Sequence, residues 1–329
     1  MGKRVVQHRI FDLAVTLLLI AVATTLRSAL WPTTSELAAN IATPIGGLLQ
    51  NWQTDMKFVA AVVWCVTLFL VGLSVGRQGV RYSIYPAYTL MGIPVFGILA
   101  GAVVATNDYF MATAAAVVMM LASKSMLRFI MRSERFSDLS LSMLYFGILP
   151  LIYAPAAVFY VLLPVLMLFV RASWRDMLVT IVSLLLPPAA LCYWQWCAGG
   201  AFKAPAVNIY NHLMSATDFH FFDSLNVATI LLLGIILVMV FCTIALTVSD
   251  RYSIKVKSRV VLRFNVMLAV AIAAMFCLPS ATSLLYVLMA IPVALTVPLF
   301  FVRMGIGFTE TLYRLLLLAT AANMILMAF

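Results

Sequence analysis

Charged side chains are scarce in this 329-residue chain, and acidic ones are the scarcest, with 11 Asp and Glu against 21 Lys and Arg. Only 10% of the residues are charged, while 65% are hydrophobic. A soluble domain of this composition would expose large apolar patches, so we exclude a soluble globular protein. The net charge of +10 does not indicate a nucleic-acid partner, because the cations lie in short gaps between apolar runs.

The chain also lacks the short motifs of several soluble enzyme classes. It has no Walker A sequence, no H-E-x-x-H and no G-x-S-x-G. Its five cysteines show no zinc spacing, so we predict no metal and no other cofactor. Two alternatives stay open for Cys192 and Cys197, which lie near one predicted membrane face: a disulfide, or small apolar side chains in a packed interior.

The long apolar runs predict an all-α, polytopic transmembrane helix bundle that forms one membrane domain over residues 1–329. We expect the first run to be an uncleaved span, because no small-residue cleavage site follows it. About eleven spans are predicted from runs near the length that crosses a bilayer, at residues 11–27, 58–75, 85–105, 110–129, 139–153, 156–170, 177–196, 227–248, 261–278, 284–302 and 311–329.

The distribution of cations predicts how the bundle is oriented. With the N-terminus in the cytoplasm, the outer side keeps only Arg27, Lys57 and Lys203, which satisfies the positive-inside rule. An odd number of spans then places the C-terminus outside. We expect the chain to lie in a bacterial cytoplasmic (inner) membrane, in contact with its lipids.

Two neighbouring spans, 139–153 and 156–170, are shorter than the others. About 15 residues of helix rise only about 22 Å, which is less than a hydrocarbon core of about 30 Å. Prolines interrupt the hydrogen bonding of these spans and of the next one, at Pro150, Pro155, Pro164, Pro187 and Pro188. Carbonyls freed by proline require partners inside the protein or along a polar cavity, although simple kinks explain the prolines equally well.

Two predicted external loops, residues 31–57 and 197–226, are long enough to bind a ligand. The first has the capping-box spacing Thr33-x-x-Glu36, and its apolar periodicity predicts an interfacial helix interrupted near Pro44. The second contains His212, Asp218 and His220. The pattern Asp218-x-His220-x-x-Asp223 is compatible with a divalent metal site, but a solvated polar loop also explains it.

Several stretches of the sequence together carry a resemblance to a known family: Tyr145-Phe146-Gly147-Ile148, Pro155, Val170-Arg171, Trp174-Arg175-Asp176, Leu186-Pro187-Pro188, Leu284 to Phe301 and Thr309-Glu310. Through them the chain resembles a family of bacterial multi-pass inner-membrane proteins known as a domain of unknown function, one member of which has been linked to gliding motility. The resemblance covers most of the chain and implies a role in the cell envelope, but it implies no catalytic residue.

The string FGILPLIYAPAAVFYVLLPVLMLFVR, residues 146–171, carries a fainter resemblance. It is similar to the paired short helices of the GT-C class of glycosyltransferases, which use polyprenyl-phosphate sugars. This resemblance implies a GT-C-like arrangement, a catalytic acid at Glu36, and Arg27 or Lys57 as the cation for the lipid phosphate. A divalent metal would be implied only in that case. The usual acidic pair and the large external C-terminal domain are missing.

Three functions follow from these observations. The first is a non-enzymatic membrane protein that supports cell-envelope assembly by binding a lipid carrier, such as a polyprenyl phosphate, or an envelope protein. The second is a GT-C-like glycosyltransferase with Glu36 as its catalytic residue. The third is a transporter. For either of the first two, the candidate residues for a lipid phosphate or substrate are Arg27, Lys57, His212, Asp218 and His220.

Overall fold

A computed structural model of the protein describes residues 10–30, 43–103, 108–132, 136–170, 173–217, 226–249 and 254–326. Within the first helix, it describes the side chains of residues 13–25. All regular secondary structure in these ranges is helical, which confirms the predicted all-α class.

Fourteen α-helical segments, one π-helical turn and one 3-10 turn follow each other along the described chain. They are α1 (Ile10–Leu30), α2 (Pro44–Asp55), α3 (Lys57–Arg81), α4 (Gly92–Gly97), the π-helical turn (Ile98–Ala102), α5 (Tyr109–Met131), α6 (Phe136–Ile152), the 3-10 turn (Ala154–Val158), α7 (Phe159–Phe169), α8 (Trp174–Cys197), α9 (Ala204–Met214), α10 (Val227–Ser249), α11 (Val256–Met275), α12 (Leu284–Thr296), α13 (Pro298–Arg303) and α14 (Ile306–Leu326).

Among the described helices, six segments are long and apolar enough to cross a bilayer, which supports a membrane-embedded bundle. They are Lys57–Arg81, Tyr109–Met131, Trp174–Cys197, Val227–Ser249, Val256–Met275 and Leu284–Arg303. Shorter apolar helices occur at Leu13–Thr25, Gly92–Ala102, Phe136–Ile152 and Ala154–Phe169. Each of these ten segments overlaps a predicted span, and the last predicted span overlaps α14.

The segment formed by α12 and α13 lies at the centre of the bundle. In its most apolar 18-residue window 89% of the positions are buried, against 22% in α8. Helix α12 packs on α3, α4, α5 and α11, whereas α8 packs mainly on α6, α7 and α9. The apolar face that α8 leaves uncovered is expected to contact lipid, because no water-soluble surface would tolerate it.

The described cations gather at one end of the bundle, which we call the basic end. Helices α3, α5 and α13 finish there and α6, α8, α11 and α14 begin there. Its cations are Arg77, Arg81, Lys124, Arg128, Arg132, Arg175, Lys255, Lys257, Arg259, Arg263, Arg303 and Arg314. Among the described side chains, Lys57 and Lys203 are the two cations at the opposite end.

Side-chain hydrogen bonds confirm which helix termini meet at each end. At the basic end, the Lys257 ammonium donates to the carbonyl of Met131 at 3.2 Å, and Arg128 and Asp138 pair at 3.6 Å. At the opposite end, the Thr43 hydroxyl donates to the carbonyl of Ile152 at 2.7 Å. The two ends of the bundle therefore differ in their charge and in the helix termini that meet there.

Helix α2 corrects one expectation from the sequence. We predicted that Pro44 would interrupt a helix, but it is the first residue of α2, where proline needs no partner for a backbone N–H. The Thr43 hydroxyl caps this helix by accepting from the N–H of Gly46 at 3.1 Å. Leu48 and Trp52 on α2 are exposed, as expected for an interfacial helix. Residues 33–36, the predicted capping box, lie outside the described residues.

Close packing explains what happens to two carbonyls freed by proline. Pro188 removes the donor for the carbonyl of Leu184, and a Cβ added at Gly147 on α6 would overlap that carbonyl oxygen. Pro298 does the same for Ala294, whose carbonyl oxygen would lie 2.6 Å from a Cβ at Gly92. Both carbonyls thus face glycines of a neighbouring helix.

The five cysteines are free thiols, so the disulfide alternative for Cys192 and Cys197 is wrong. Cys192 is buried, in agreement with the alternative of a small apolar side chain. Cys197 is exposed, because it lies in the last turn of α8 at the opposite end of the bundle.

Candidate functional site

The predicted site residues are described to different extents. Glu36, Asp218 and His220 lie outside the described residues, and the backbone of Arg27 is the last turn of α1 with its side chain outside them. Lys57 and His212 are fully described. The predicted external site is therefore visible only through these two residues and the helices that carry them.

Lys57 and His212 lie at the same end of the bundle in different environments. Lys57 is exposed at the start of α3, immediately after α2. His212 is 2% exposed and lies in the last turn of α9. Helices α2 and α9 pack on each other, and α9 also packs on α8 and on the 3-10 turn. The structure therefore brings α2 and α9 into contact. It leaves Lys57 exposed and His212 buried, so these two side chains do not share one surface.

The His212 side chain is buried, and neither of its ring nitrogens has a hydrogen-bond partner within the part of the chain that the structure describes. Burial lowers the pKa of this imidazole below its ordinary value, because the interior disfavours the charged form. The ring is accordingly neutral near pH 7. Buried polar groups nearly always have partners, so this histidine is an exception with the capacity to donate one hydrogen bond and accept another.

A network of hydrogen bonds around α9 was not predicted from the sequence. The Thr217 hydroxyl donates to the carbonyl of Ala281 at 2.6 Å, and the Thr217 N–H donates to the carbonyl of Pro279. The Tyr153 hydroxyl accepts from the N–H and the hydroxyl of Thr282, at 3.0 and 3.1 Å. These contacts join segments far apart in the sequence, so no local pattern could have indicated them.

The metal alternative receives no support from the described part of the chain. Among the residues described, no three His, Cys, Asp or Glu side chains come together as a possible metal site. Asp218, His220 and Asp223 are not among them. The Asp176 carboxylate, which belongs to one of the family-like stretches, instead caps α8 by accepting from the N–H of Ser173 at 2.8 Å.

An open apolar groove lies between α6 and α8 near the basic end, and we call it the α6–α8 groove. Its volume is about 440 Å³, and its lining comprises Phe136, Ser137, Ser140, Leu178, Val179, Val182 and Ser183. The volume falls in the range of small-molecule sites. Sequence analysis did not identify this groove, and the only local signal is the pair Ser137 and Ser140 at helical spacing within an apolar run.

The groove combines an apolar lining with serine hydroxyl groups. The hydroxyl oxygens of Ser140 and Ser183 lie 2.9 Å apart in a hydrogen bond across the two helices. Phe136, Leu178 and Val182 are 49%, 49% and 62% exposed, so the apolar lining is accessible from the side of the bundle. None of the described residues that line the groove is titratable.

Comparison of the chain with protein-family models, with curated proteins and with solved structures finds no match.

Proposed function

We propose that the chain is a multi-pass protein of a bacterial inner membrane with its basic end in the cytoplasm. Cations concentrate on the cytoplasmic side of such proteins, and the described cations of this bundle lie almost entirely at one end. The proposed topology has about eleven spans and an external C-terminus. The helices that overlap the predicted runs support this topology, including the shorter ones, which sit against longer neighbours.

The function that we propose is non-enzymatic support of cell-envelope assembly through binding of a lipid carrier. The α6–α8 groove is the observation that carries this proposal. An apolar groove that opens sideways from a membrane bundle fits a hydrocarbon or isoprenoid chain, which reaches it directly from the bilayer. Its serines supply weak polar contacts without catalytic chemistry. A polyprenyl phosphate is the carrier to test first.

Binding of the carrier is tested by photo-crosslinking. The protein is placed in nanodiscs with a polyprenyl phosphate that carries a diazirine in its chain, and the labelled peptides are identified by mass spectrometry. We expect labels on α6 and α8 at the groove. Leu178→Trp and Val182→Trp each place a larger side chain in the groove from an exposed position. We expect the carrier to lose about 1.4 kcal/mol of packing energy in these variants, which lowers its affinity about tenfold.

Leu237→Trp is the matched control, because Leu237 on α10 is 70% exposed and does not line the groove. We expect this variant to label as the wild-type protein does. Equal labelling of all helices that face lipid, or labelling unchanged by both groove variants, would refute the proposal.

A GT-C-like glycosyltransferase remains the second candidate, and one observation favours it. Helix α2 lies between the first helix and α3 at the end opposite the cations, and the proposed orientation makes that end external. The resemblance calls for helices in this first external loop. The residue on which the candidate depends is Glu36, and its test is argued with the other predictions.

A further inference from the structure

A second cavity lies at the basic end, between α3 and α5. Its volume is about 140 Å³, which corresponds to about five water molecules at about 30 Å³ each. It has room for one small polar group. The lining residues are Ser74, Arg77, Gln78, Arg81, Tyr82 and Lys124. We call this cavity the α3–α5 pocket.

Helical spacing explains why these side chains meet. Ser74, Gln78 and Arg81 recur at intervals of four and three residues, so they share one face of α3. Lys124 comes from α5, which packs along α3. The pocket therefore depends on the register of two helices.

The positive charge of the pocket is not compensated by the described residues. Arg77, Arg81 and Lys124 form no ion pair with any described carboxylate, and none of the described residues that line the pocket is acidic. Two described acids at the basic end pair with other cations, Asp138 with Arg128 and Glu310 with Arg314. Three cations around one small cavity repel each other and favour an anion between them.

The buried side-chain amide of Gln78 distinguishes this pocket from an ordinary basic surface. The side chain of Gln78 is 4% exposed, and neither its amide nitrogen nor its amide oxygen has a hydrogen-bond partner among the described residues. A buried polar group without a partner costs about 1–3 kcal/mol, so such groups are rare. This amide lines the pocket, where a ligand can satisfy both atoms at once.

The two ends of the amide define the chemistry of that ligand. The Gln78 amide N–H, the guanidinium groups of Arg77 and Arg81 and the ammonium of Lys124 are all hydrogen-bond donors. They require a ligand that is an anion with several acceptor oxygens. The Gln78 amide oxygen accepts, which calls for a hydroxyl on the same ligand. A phosphate has both when it carries one proton or when it is esterified to a hydroxylated headgroup.

We propose that the α3–α5 pocket binds a phosphate group, with Arg77, Arg81 and Lys124 neutralising its charge and Gln78 orienting it. Two sources supply this chemistry at a membrane surface: the headgroup of an anionic glycerophospholipid, and free hydrogen phosphate. The pocket lies on α3 and α5 rather than on α6 and α8. The proposal is therefore independent of a carrier in the α6–α8 groove.

The test uses the full chain in nanodiscs of phosphatidylcholine, with two separate probes. The first probe is phosphatidylglycerol, counted per protein by native mass spectrometry. The second is radiolabelled inorganic phosphate, measured by equilibrium dialysis. We expect saturable binding of at least one probe at one copy per chain.

Three variants distinguish binding in the pocket from attraction to surface charge. Gln78→Met keeps the size of the side chain and removes its hydrogen bonds, and the double variant Arg77→Gln with Arg81→Gln removes two cations. We expect each to weaken binding at least about tenfold. Arg263→Gln removes one exposed cation of the basic end that does not line the pocket, and we expect it to bind as the wild-type protein does.

A thermal-stability measurement without either probe accompanies the binding assay. We expect Gln78→Met to fold and to be at least as stable as the wild-type protein, because it removes an unsatisfied amide. Binding of the lipid alone or of free phosphate alone identifies the source. Binding of neither probe, unchanged binding by Gln78→Met and the double variant, or an equal loss in Arg263→Gln would overturn the proposal.

Discussion

The side-chain amide of Asn323 donates hydrogen bonds to the carbonyl oxygens of Ala102 at 2.6 Å and Val103 at 3.1 Å, more than 200 residues earlier in the chain. These carbonyls lie at the end of the π-helical turn, where a helix leaves its last carbonyls without partners inside the helix. The amide oxygen of Asn323 accepts from the Thr229 hydroxyl at 2.8 Å. One buried amide thus joins α14, α10 and the π-helical turn.

We expect Asn323→Leu to destabilise the bundle by about 2–4 kcal/mol, because it leaves the two carbonyls and the Thr229 hydroxyl unsatisfied in an apolar interior. The measurement is reversible unfolding in mixed detergent micelles. Thr229→Val is the matched variant, since it removes only one of these bonds with little change of shape, and we expect about 1 kcal/mol. Equal stability of Asn323→Leu and the wild-type protein would contradict the bonding seen here.

The close approach of α6 and α8 at Gly147 gives a second prediction. A methyl group at this position would overlap the carbonyl oxygen of Leu184, so Gly147→Ala should cost about 1–3 kcal/mol through overpacking. Gly234→Ala on α10 is the matched control, because a Cβ there has no neighbour within 4 Å. Alanine is also the better helix former, so we expect the control to be neutral or stabilising. Thermal melts in detergent that rank the two variants in the opposite order would refute this account.

The helices could be predicted from the sequence because length and hydropathy determine them locally. The predicted span 227–248 and α10 (Val227–Ser249) differ by one residue at one end. The grouping of cations at one end also followed from the sequence, because alternate gaps between spans must face the same side. In both cases the signal lies within neighbouring residues and requires no knowledge of which helices pack together.

The sites could not be predicted because they depend on contacts between distant segments. Arg77 and Arg81 were interpreted as determinants of topology, and nothing near Gln78 in the sequence indicated that its amide would be buried beside Lys124. His212 was selected as a polar loop residue, although it lies buried on a helix. The α6–α8 groove likewise forms between two helices whose hydrogen-bonded serines, Ser140 and Ser183, are 43 residues apart in the sequence. Local periodicity carries no information on such pairings.

The buried His212 predicts a pH dependence of stability. Its pKa is lowered in the folded protein by burial, whereas an unfolded histidine has a pKa of about 6.5. The folded state therefore binds fewer protons than the unfolded state. This contribution to stability is full above about pH 6.5, and it is lost as the pH falls, by up to about 1.4 kcal/mol per pH unit until the folded-state pKa is reached.

The measurement compares unfolding of the wild-type protein and of His212→Gln at pH 7.5 and pH 5.5. We expect the wild-type protein to lose more stability on acidification than the variant does. His220→Gln is the control for a second histidine of the same predicted loop, and we expect it to behave as the wild-type protein. An identical loss of stability in wild-type and His212→Gln protein would mean that His212 does not contribute to the pH dependence.

The last prediction decides between lipid binding and catalysis at Glu36. We expect Glu36→Gln to leave the crosslinking of a polyprenyl phosphate and the folding of the protein unchanged, because the described lining of the α6–α8 groove that we assign to the carrier comes from α6 and α8. A transferase would behave differently. Loss of a general base typically lowers turnover by about 10²–10⁴-fold, so the same variant would abolish sugar transfer.

Crosslinking and sugar transfer are measured on the same preparations, with a polyprenyl-phosphate sugar as the donor. The control variant is Asp55→Asn, because Asp55 is an exposed carboxylate at the end of α2. A folded Glu36→Gln protein that loses transfer while Asp55→Asn retains it would establish a glycosyltransferase and replace the non-enzymatic proposal. Absence of transfer in the wild-type protein, together with groove crosslinks that survive Glu36→Gln, would leave the carrier-binding function as the explanation. Glu36 is the position to test because the resemblance implies its carboxylate as the catalytic group, whereas in the capping-box interpretation of Thr33-x-x-Glu36 a glutamine serves equally well.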